Sequence, residues 1–496
     1  MQTRSLMGFA FAALIGASVP LAAQSTLPSQ ESTRGGGSTA IEKKLGPSSA
    51  ARPGSEAAVR KLVIGLINGK PDYESMVPEF ARLTRFQLPD LQQTFSSLGE
   101  LRSINFRGVD DAMGADEFQV SFARGGMVMA VALNPQGQVA GAMFRPAPGT
   151  ILQPATDVLK LEGAALIKAF NARAQGYADS GDFSGAVLLA KNGQVLFQKA
   201  YGFANRDARK PNRLNTQFRF GSMGKLFTMV AIMQLAQDGK IDPSSPIGRY
   251  LPGYPNQDVA TKVTVSNLLT HTGGTGDIFG PDFEAHKTSL RDHKDYVALY
   301  GRRSLKFAPG SRSAYSNYGF ILLGRIVEEV SGLTYDQYLQ RNIFATAGMS
   351  STGNAPESDR LPRRAVGYMG FGGNLKPADE FLPLAGTSAG GGYSTVGDFK
   401  RFVDALVSHR LIRAETLEKL ATGGVTAPDG TFYPYDFGAT MPGSGRFMGH
   451  GGGAPGMNGD LLHFPDSGYT IVVLANRDPP VAQSIAGFLA TRLPAK

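Results

Sequence analysis

The sequence predicts an α+β fold, an α/β sandwich in which an antiparallel sheet is flanked by helices and carries an inserted all-helical region. Two hairpin patterns stand far apart in the chain, one over residues 186–199 around Asn192-Gly193 and one over residues 460–475. Helical patterns adjoin both hairpins, and the long stretch between them is typical of helices and loops. Because the strands of both hairpins need one shared core, we expect a single sheet assembled from the two ends of residues 155–496.

A smaller α+β domain of unknown role is predicted over residues 56–148, ahead of the larger one. Apolar residues recur at helical spacing over residues 59–67, and a second helical stretch follows over residues 89–95. Residues 118–122 then alternate as in a half-buried strand, and residues 127–144 have the pattern of a hairpin. No group of reactive side chains converges in this domain, so the sequence assigns it no chemistry.

The N-terminal 55 residues are predicted to lie outside both domains. Residues 1–23 have the layout of a secretory signal peptide, with basic Arg4, an apolar stretch from Leu6 to Leu21 and small residues at the end. Residues 24–55 are rich in Ser, Thr, Gly and Pro, so we expect a disordered linker. We therefore expect a periplasmic or secreted protein that has no stable membrane insertion once the signal is removed.

The composition excludes several classes of chemistry. With no cysteine in 496 residues, the chain has no disulfides, no thiolate metal ligands, no cysteine nucleophile and no lipoprotein-type acyl anchor. Its six histidines show no metal-ligand spacing, and no phosphate-binding Gly-Lys-Ser/Thr loop is present, so we expect neither a metal nor a cofactor. The formal net charge of +9 is not gathered into a basic stripe beside aromatic residues, which argues against nucleic acid as a partner.

The first candidate for catalysis is Ser222, which is followed by Lys225 at the start of an apolar helical pattern. Residues three apart on a helix lie side by side, and the free N–H groups of a helix start favour negative charge there. A lysine whose pKa is lowered by partial desolvation can take the proton of a serine hydroxyl and make it a nucleophile. Taken alone, the pair is more often an ordinary N-cap serine followed by a surface lysine.

A second candidate motif is Tyr315-Ser316-Asn317, directly before another apolar helical pattern. A phenol held between cationic groups can carry a proton, and an asparagine amide can orient a substrate amide. Tyr315 and Asn317 are therefore candidates for proton transfer and for substrate binding.

A third candidate motif begins at His450, which is followed by three glycines, Gly451, Gly452 and Gly453. Strand residues without side chains let a substrate backbone approach closely, so we expect an edge strand here. If a substrate lies along it, the N–H groups of Gly453 and Ser222 are placed to form an oxyanion hole.

The three motifs together resemble the serine β-lactamase and penicillin-binding-protein superfamily, specifically its class C β-lactamase-like branch of esterases and DD-peptidases. Four further stretches look like landmarks of that family, namely residues 268–274, 307–310, 319–332 and 389–395. The resemblance covers about residues 155–496. It implies that Ser222 is the nucleophile and that Lys225 and Tyr315 share the general-base and general-acid work. It also implies a set of substrate-binding residues, namely Asn317, His450, Gly451 and Gly452.

His450 departs from the family pattern, because it takes the place of the lysine that begins K-T-G in class C β-lactamases. A histidine with an ordinary pKa near about 6.5 is mostly neutral at pH 7, and Gly451 lacks the hydroxyl of the usual threonine. We therefore predict an exported serine hydrolase that forms a Ser222 acyl-enzyme with carboxylic esters or D-amino-acid peptides. β-Lactam hydrolysis is one alternative, and a penicillin-binding or peptidoglycan-associated protein without turnover is another.

Two other residues compete with this interpretation. Ser388 lies in a formal G-x-S-x-G match, and Asp436 and His450 follow it in the chain order of an α/β-hydrolase. A nucleophile elbow needs a helix directly after the serine, however, and Gly390 to Gly392 delay it. The second is His271, for which a role as catalytic histidine is the alternative. We interpret it instead as a buried loop residue bonded to backbone.

Overall fold

A computed structural model describes residues 50–110, 115–147, 159–356, 358–359, 361–370, 375–378, 383–441 and 444–494. Within these residues the chain forms two compact units, one before residue 158 and one from there onward. The predicted signal peptide and residues 24–49 of the predicted linker lie outside the described residues. The described part of that linker ends at Ser55, which is already the first residue of a helix.

The first unit contains two helices followed by four strands. The helices are α1 (Ser55–Asn68) and α2 (Pro78–Leu98), with a 3₁₀ turn at Tyr73–Ser75 between them. The strands form one antiparallel sheet in chain order, β1 (Leu101–Asp110), β2 (Ala115–Phe122), β3 (Gly125–Leu133) and β4 (Val139–Pro146). The predicted hairpin is confirmed, because Met129 of β3 lies opposite Phe144 of β4.

The core of the first unit lies between the helices and one face of its sheet. Side chains at alternate positions of β2, including Phe118 and Val120, pack with Val63 of α1 and Phe95 of α2. The second predicted helix is longer than expected, since α2 begins at Pro78 and continues through the stretch at 89–95. Packing of the apolar face against the sheet stabilises these added turns.

The second unit is built on a six-stranded antiparallel sheet with the order β15-β16-β17-β18-β5-β6. Its strands are β5 (Gly185–Lys191), β6 (Gln194–Tyr201), β15 (Gly438–Met441), β16 (Gly445–Ala454), β17 (Met457–Phe464) and β18 (Tyr469–Ala475). Strand β18 pairs with β5, so Val473 lies opposite Val187. This confirms a sheet assembled from both ends of the unit.

The hairpin between β5 and β6 turns at Asn192 and Gly193, where both residues have positive φ angles of 50° and 77°. Asparagine and glycine tolerate this left-handed backbone, which matches the twist of the two strands. The sheet is covered by α3 (Gly163–Asp179) and α14 (Val481–Ala490), and by α12 (Val396–Val407). The fold is therefore the α/β sandwich that the sequence predicts.

The helices inserted between the sheet's two halves are α4 (Lys225–Gln237), α5 (Gln257–Lys262), α6 (Val265–Leu269), α7 (Pro281–His286), α8 (His293–Tyr300), α9 (Asn317–Ser331), α10 (Tyr335–Leu339), α11 (Ala345–Ala347) and α13 (Ala414–Thr422). Short 3₁₀ or π turns lie at Ser222–Gly224, Ile247–Arg249 and Gln340–Phe344. Short strands are β7 (Phe203–Asn205), β8 (Lys210–Pro211), β9 (Phe218–Gly221), β10 (Tyr368–Met369), β11 (Lys376–Pro377), β12 (Gly391–Ser394), β13 (Gly424–Thr426) and β14 (Phe432–Pro434). Among the described residues, no helix has both the length and the apolar character needed to cross a membrane.

Candidate active site

Ser222 lies at the junction of a short strand and a buried helix. It opens the 3₁₀ turn that joins β9 to α4, directly after Gly221, whose φ angle is 55°. Helix α4 is buried along most of its length, because apolar residues surround it in the core of the unit. Its first residue, Lys225, is therefore carried into the interior and has no exposed surface.

The amino group of Lys225 contacts three oxygen atoms. Its Nζ lies 2.8 Å from Asn317 Oδ1, 2.5 Å from the Ala389 carbonyl oxygen and 3.1 Å from Ser222 Oγ. The first two oxygens only accept hydrogen bonds, so they occupy the two N–H groups of a neutral amine. The lone pair of that amine then faces Ser222 Oγ.

Burial lowers the pKa of Lys225 to about 7, although the carboxylates of Asp436 and Asp277 act in the opposite direction. Desolvation disfavours the charged form of a lysine, and among the residues that the structure describes no carboxylate pairs directly with this one to offset it. A large share of Lys225 is thus neutral near pH 7, which is the form that can accept a proton from Ser222.

Tyr315 approaches the nucleophile from another side. Its hydroxyl donates a hydrogen bond of 2.8 Å to Ser222 Oγ, and Lys225 Nζ lies 4.7 Å from the centre of its ring. Desolvation and the charge of Asp436 raise the pKa of Tyr315. Tyr315 is consequently a neutral phenol near pH 7. The neutral amine of Lys225, not Tyr315, is then the group that can accept a proton from Ser222.

Asn317 is held in one orientation by Asp277. The Asn317 backbone N–H donates to Asp277 Oδ1 at 2.8 Å, and its side-chain Nδ2 donates to Asp277 Oδ2 at 3.2 Å. With Nδ2 committed to a carboxylate, the Asn317 oxygen must be the atom that faces Lys225. Asp277 thereby fixes one of the two acceptors that orient the lysine.

The glycines after His450 bring strand β16 against the nucleophile turn. Within the described residues, β15 pairs with β16 only up to Met448, so Gly451 to Gly453 pair on one side, with β17. A Cβ built on Gly452 would lie 2.0 Å from the Phe220 carbonyl oxygen, and one on Gly221 would lie 2.9 Å from Gly453 N. Only strands without side chains can approach this closely.

We expect Gly452→Ala to lower kcat/KM by about a hundredfold, because the added methyl displaces β16 from Ser222 by a fraction of an ångström or more. Kinetics on a p-nitrophenyl ester would measure the loss. Gly487→Ala on α14 is the matched control, since its Cβ meets nothing within 4 Å and activity should be unchanged. Full activity of Gly452→Ala would show that the close approach is not required.

Asp436 joins two histidines at one end of the site. Its Oδ2 lies 2.8 Å from His450 Nε2 and 3.0 Å from His271 Nε2. Burial acts to lower the pKa of His450, but the charge and hydrogen bond of Asp436 outweigh it, so the pKa is raised. The sequence alone predicts an ordinary pKa for His450, and Asp436, which it does not place beside this histidine, raises that pKa.

His271 is a buried loop residue bonded to backbone, as expected. Its Nδ1 accepts a hydrogen bond from the Ser316 N–H at 3.1 Å, and its side chain is 7% exposed. Its ring also packs against that of Tyr315, with 4.5 Å between the ring centres. His271 thus connects Asp436 to the phenol without touching Ser222.

Ser388 lies in the interior and has no exposed surface. Its Oγ contacts His293 Nε2 at 2.8 Å, and His293 Nδ1 contacts Glu328 Oε1 at 2.9 Å. Ser388 is therefore paired with neither Asp436 nor His450, and the strand β12 rather than a helix follows it. A substrate cannot reach this serine, which is consistent with the interpretation of the G-x-S-x-G match as a coincidence.

The buried Ser388 cluster instead supports the loop that contacts the lysine. Thr228 on α4 donates to the Ser388 carbonyl oxygen at 2.7 Å, and the next residue, Ala389, supplies the oxygen bonded to Lys225. We expect Ser388→Ala to keep kcat/KM within about tenfold and to lower the free energy of unfolding by about 1 kcal/mol. Denaturant titration and ester kinetics would measure both, and a folded but inactive variant would contradict this assignment.

Sequence reasoning missed Asp277, the Ala389 carbonyl and the pairing of Asp436 with both histidines. Asp277 contacts a residue 40 positions away and Asp436 contacts one 165 positions away, so neither has a local spacing signal. The stretch at 389–395 was noted only as a landmark. Within the part of the chain that the structure describes, no group of three or more His, Asp or Glu residues is placed to hold a metal ion.

Comparison with known families identifies the second unit. Residues 165–494, more than half of the chain, match the Beta-lactamase family. The chain belongs to the Beta-lactamase family. It is accordingly a serine hydrolase of the β-lactamase fold, related to penicillin-binding proteins.

The chain is similar in sequence to proteins of known name and in fold to solved structures. Penicillin-binding protein 4* of Bacillus subtilis is 29% identical over 316 residues, which cover 60% of this chain and 68% of that protein. A D-aminopeptidase of Gluconobacter oxydans is 27% identical over 316 residues, 62% of this chain and 58% of that protein. The crystal structure of a penicillin-binding protein from Bacillus halodurans has 33% identity and a TM-score of 0.58, covering 65% of this chain and 99% of that one.

Proposed function

We propose that this β-lactamase-family member hydrolyses carboxylic esters or D-amino-acid peptides through an acyl-enzyme on Ser222. The observation that carries the proposal is the placement of Lys225, whose two N–H acceptors direct its lone pair at Ser222 Oγ. A serine with a positioned base beside it is an activated nucleophile. The similarity to a D-aminopeptidase supports D-amino-acid substrates.

In the acylation step, Ser222 Oγ attacks the substrate carbonyl while its proton passes to Lys225 Nζ. The new C–O bond leaves negative charge on the carbonyl oxygen, which the N–H groups of Ser222 and Gly453 bind. The bond to the leaving group then breaks. Lys225 and Tyr315, both within hydrogen-bonding distance of Ser222 Oγ, return the proton to the leaving atom.

In the deacylation step, water takes the place of the leaving group. Its proton passes to Lys225 as its oxygen attacks the acyl carbon, and the proton returns to Ser222 when the acyl bond breaks. Asn317 orients the acyl part of the substrate, while His450, Gly451 and Gly452 lie along the substrate backbone. The chain needs no cofactor for either step, because each transfers only a proton and an acyl group.

The test is detection of an adduct on Ser222 by intact mass after reaction with a fluorophosphonate. Kinetics on a p-nitrophenyl ester, a D-Ala-D-Ala peptide and a chromogenic cephalosporin would accompany it. We expect turnover of the ester or the peptide. Far faster turnover of the cephalosporin would make β-lactams the substrate, and an adduct that never turns over on any of the three would indicate a binding protein.

We also propose that the protein is exported, because residues 1–23 combine a basic start, an apolar stretch and small residues. Expression of the full chain followed by fractionation would test this. The mature form is expected in the periplasm or the medium, shortened by about 23 residues at the N-terminus. Retention of the uncut chain in the cytoplasm would contradict export.

A further inference from the structure

His271, Asp436 and His450 form a cluster of contacting side chains. The proposed acylation and deacylation steps give no role to His271 or Asp436. One carboxylate oxygen of Asp436 accepts hydrogen bonds from the Nε2 atoms of both imidazoles. The Asp436 side chain is 33% exposed, so solvent and substrate atoms can reach it. The three side chains are 14 and 165 positions apart in the sequence, and only the fold brings them together.

The partners of each ring nitrogen locate the protons of the cluster. His271 Nδ1 accepts from the Ser316 N–H, so the proton of His271 is on Nε2, where it is donated to Asp436. His450 faces the Gly451 carbonyl oxygen with Nδ1 and the Asp436 carboxylate with Nε2. Both of these partners accept only, and Asp436 raises the pKa of His450, so the arrangement favours a ring that is protonated on both nitrogens.

The positive charge of His450 is not available to a ligand. Its two N–H groups are both committed, one to the Gly451 carbonyl and one to Asp436. The charges of His450 and Asp436 cancel, and neutral His271 adds none. Asp460 stands opposite Gly451 on β17, and burial raises the pKa of its carboxyl to about 7, so His271, Asp436, His450 and Asp460 together carry no net positive charge near pH 7.

If Tyr315 delivers the proton to the leaving atom, the cluster lies on the side of Ser222 from which the leaving group departs. The His271 ring packs on the ring of Tyr315, and the Tyr315 hydroxyl bonds Ser222 Oγ. A leaving atom has to lie next to the group that protonates it, which places it near Tyr315. Asn317 and Asp277, in contrast, hold the Lys225 side of the nucleophile.

We propose that Asp436 is a specificity-determining residue, which makes the enzyme select esters and amides whose leaving group has no carboxylate. This inference rests on the proposed acyl-enzyme function and narrows its substrate class. A carboxylate beside this cluster has to give up water without gaining an unpaired cation or a free N–H donor from its three side chains. An uncharged leaving group bears no such penalty.

The experiment compares two thioesters of N-benzoyl-D-alanine, one with thioglycolate as leaving group and one with its methyl ester. The ratio of kcat/KM for the first to that for the second is divided by the ratio of their uncatalysed hydrolysis rates, because the two thiols differ as leaving groups, and this normalised ratio measures the effect of the carboxylate in the enzyme. We expect the normalised ratio to be below about 0.1 in the wild type. Asp436→Asn should raise it at least about tenfold at pH 6, where a histidine with an ordinary pKa is still largely protonated and now has no anionic partner.

Asp258→Asn on the exposed face of α5 is the matched control, since it also removes one negative charge. Among the described residues, Asp258 forms an ion pair with Lys262 on the same helix. Its ratio should equal that of the wild type. A wild-type ratio near or above one, or a ratio that Asp436→Asn leaves unchanged, would overturn the inference. The wild-type ratio tests it even if Asp436→Asn does not fold, and absence of any Ser222 acylation would count against the proposed function instead.

Discussion

Ser222→Ala is expected to abolish turnover of every substrate, with kcat lowered by about ten thousandfold or more. Lys225 and Tyr315 both direct their polar atoms at Ser222 Oγ, so removal of this one atom leaves the proton-transfer groups without a nucleophile. Ester kinetics would measure the loss. The fluorophosphonate adduct should disappear from the intact mass of the same variant.

Ser388→Ala is the control for this result, because it makes the same substitution at a different serine, one that is fully buried. It should keep both turnover and the adduct. Loss of turnover in Ser388→Ala with retention in Ser222→Ala would reverse the two assignments. A thermal melt of each variant would establish that a loss of activity is not a loss of fold.

Lys225→Met is expected to lower kcat/KM by about a thousandfold or more. Methionine retains the apolar stem in a fully buried site but has no amine to accept the proton of Ser222. Lys225→Arg should be as severely impaired, because a guanidinium stays protonated. Lys262→Met on the surface of α5 is the matched control and should have wild-type kinetics.

The wild-type pH profile tests the same role of Lys225 independently. Because the neutral amine is the base and its pKa is lowered to about 7, kcat/KM should rise with pH through about 7 and then level off. At pH 5, two units below that pKa, activity should be about a hundredfold below the plateau. A profile that is flat from pH 5 to 8 would mean that a group other than Lys225 accepts the proton.

Much of the second unit's fold follows from local patterns. The turn residues Asn192-Gly193 and the hairpin pattern over residues 460–475 predict strands that the structure places side by side. Boundaries were less accurate, because tertiary packing decides where helices end. In the first unit, for example, the helical stretch predicted over residues 89–95 belongs to a helix that begins at Pro78 and ends at Leu98.

The sequence by itself determined which residues could supply the chemistry. Ser222 and Lys225 are one helical turn apart, and that spacing alone brings their side chains together. Tyr315 could be added only through the resemblance to a family, because nothing in its local sequence distinguishes it from an ordinary loop tyrosine.

Only the tertiary structure decided the protonation states. The pKa of Lys225 depends on complete burial by the core, and the charge of His450 depends on Asp436, which lies on a different segment. Burial and charges within a few ångströms set a pKa, and such neighbours come from distant parts of the chain. The sequence could therefore name His450 but not predict that it is paired with a carboxylate that raises its pKa.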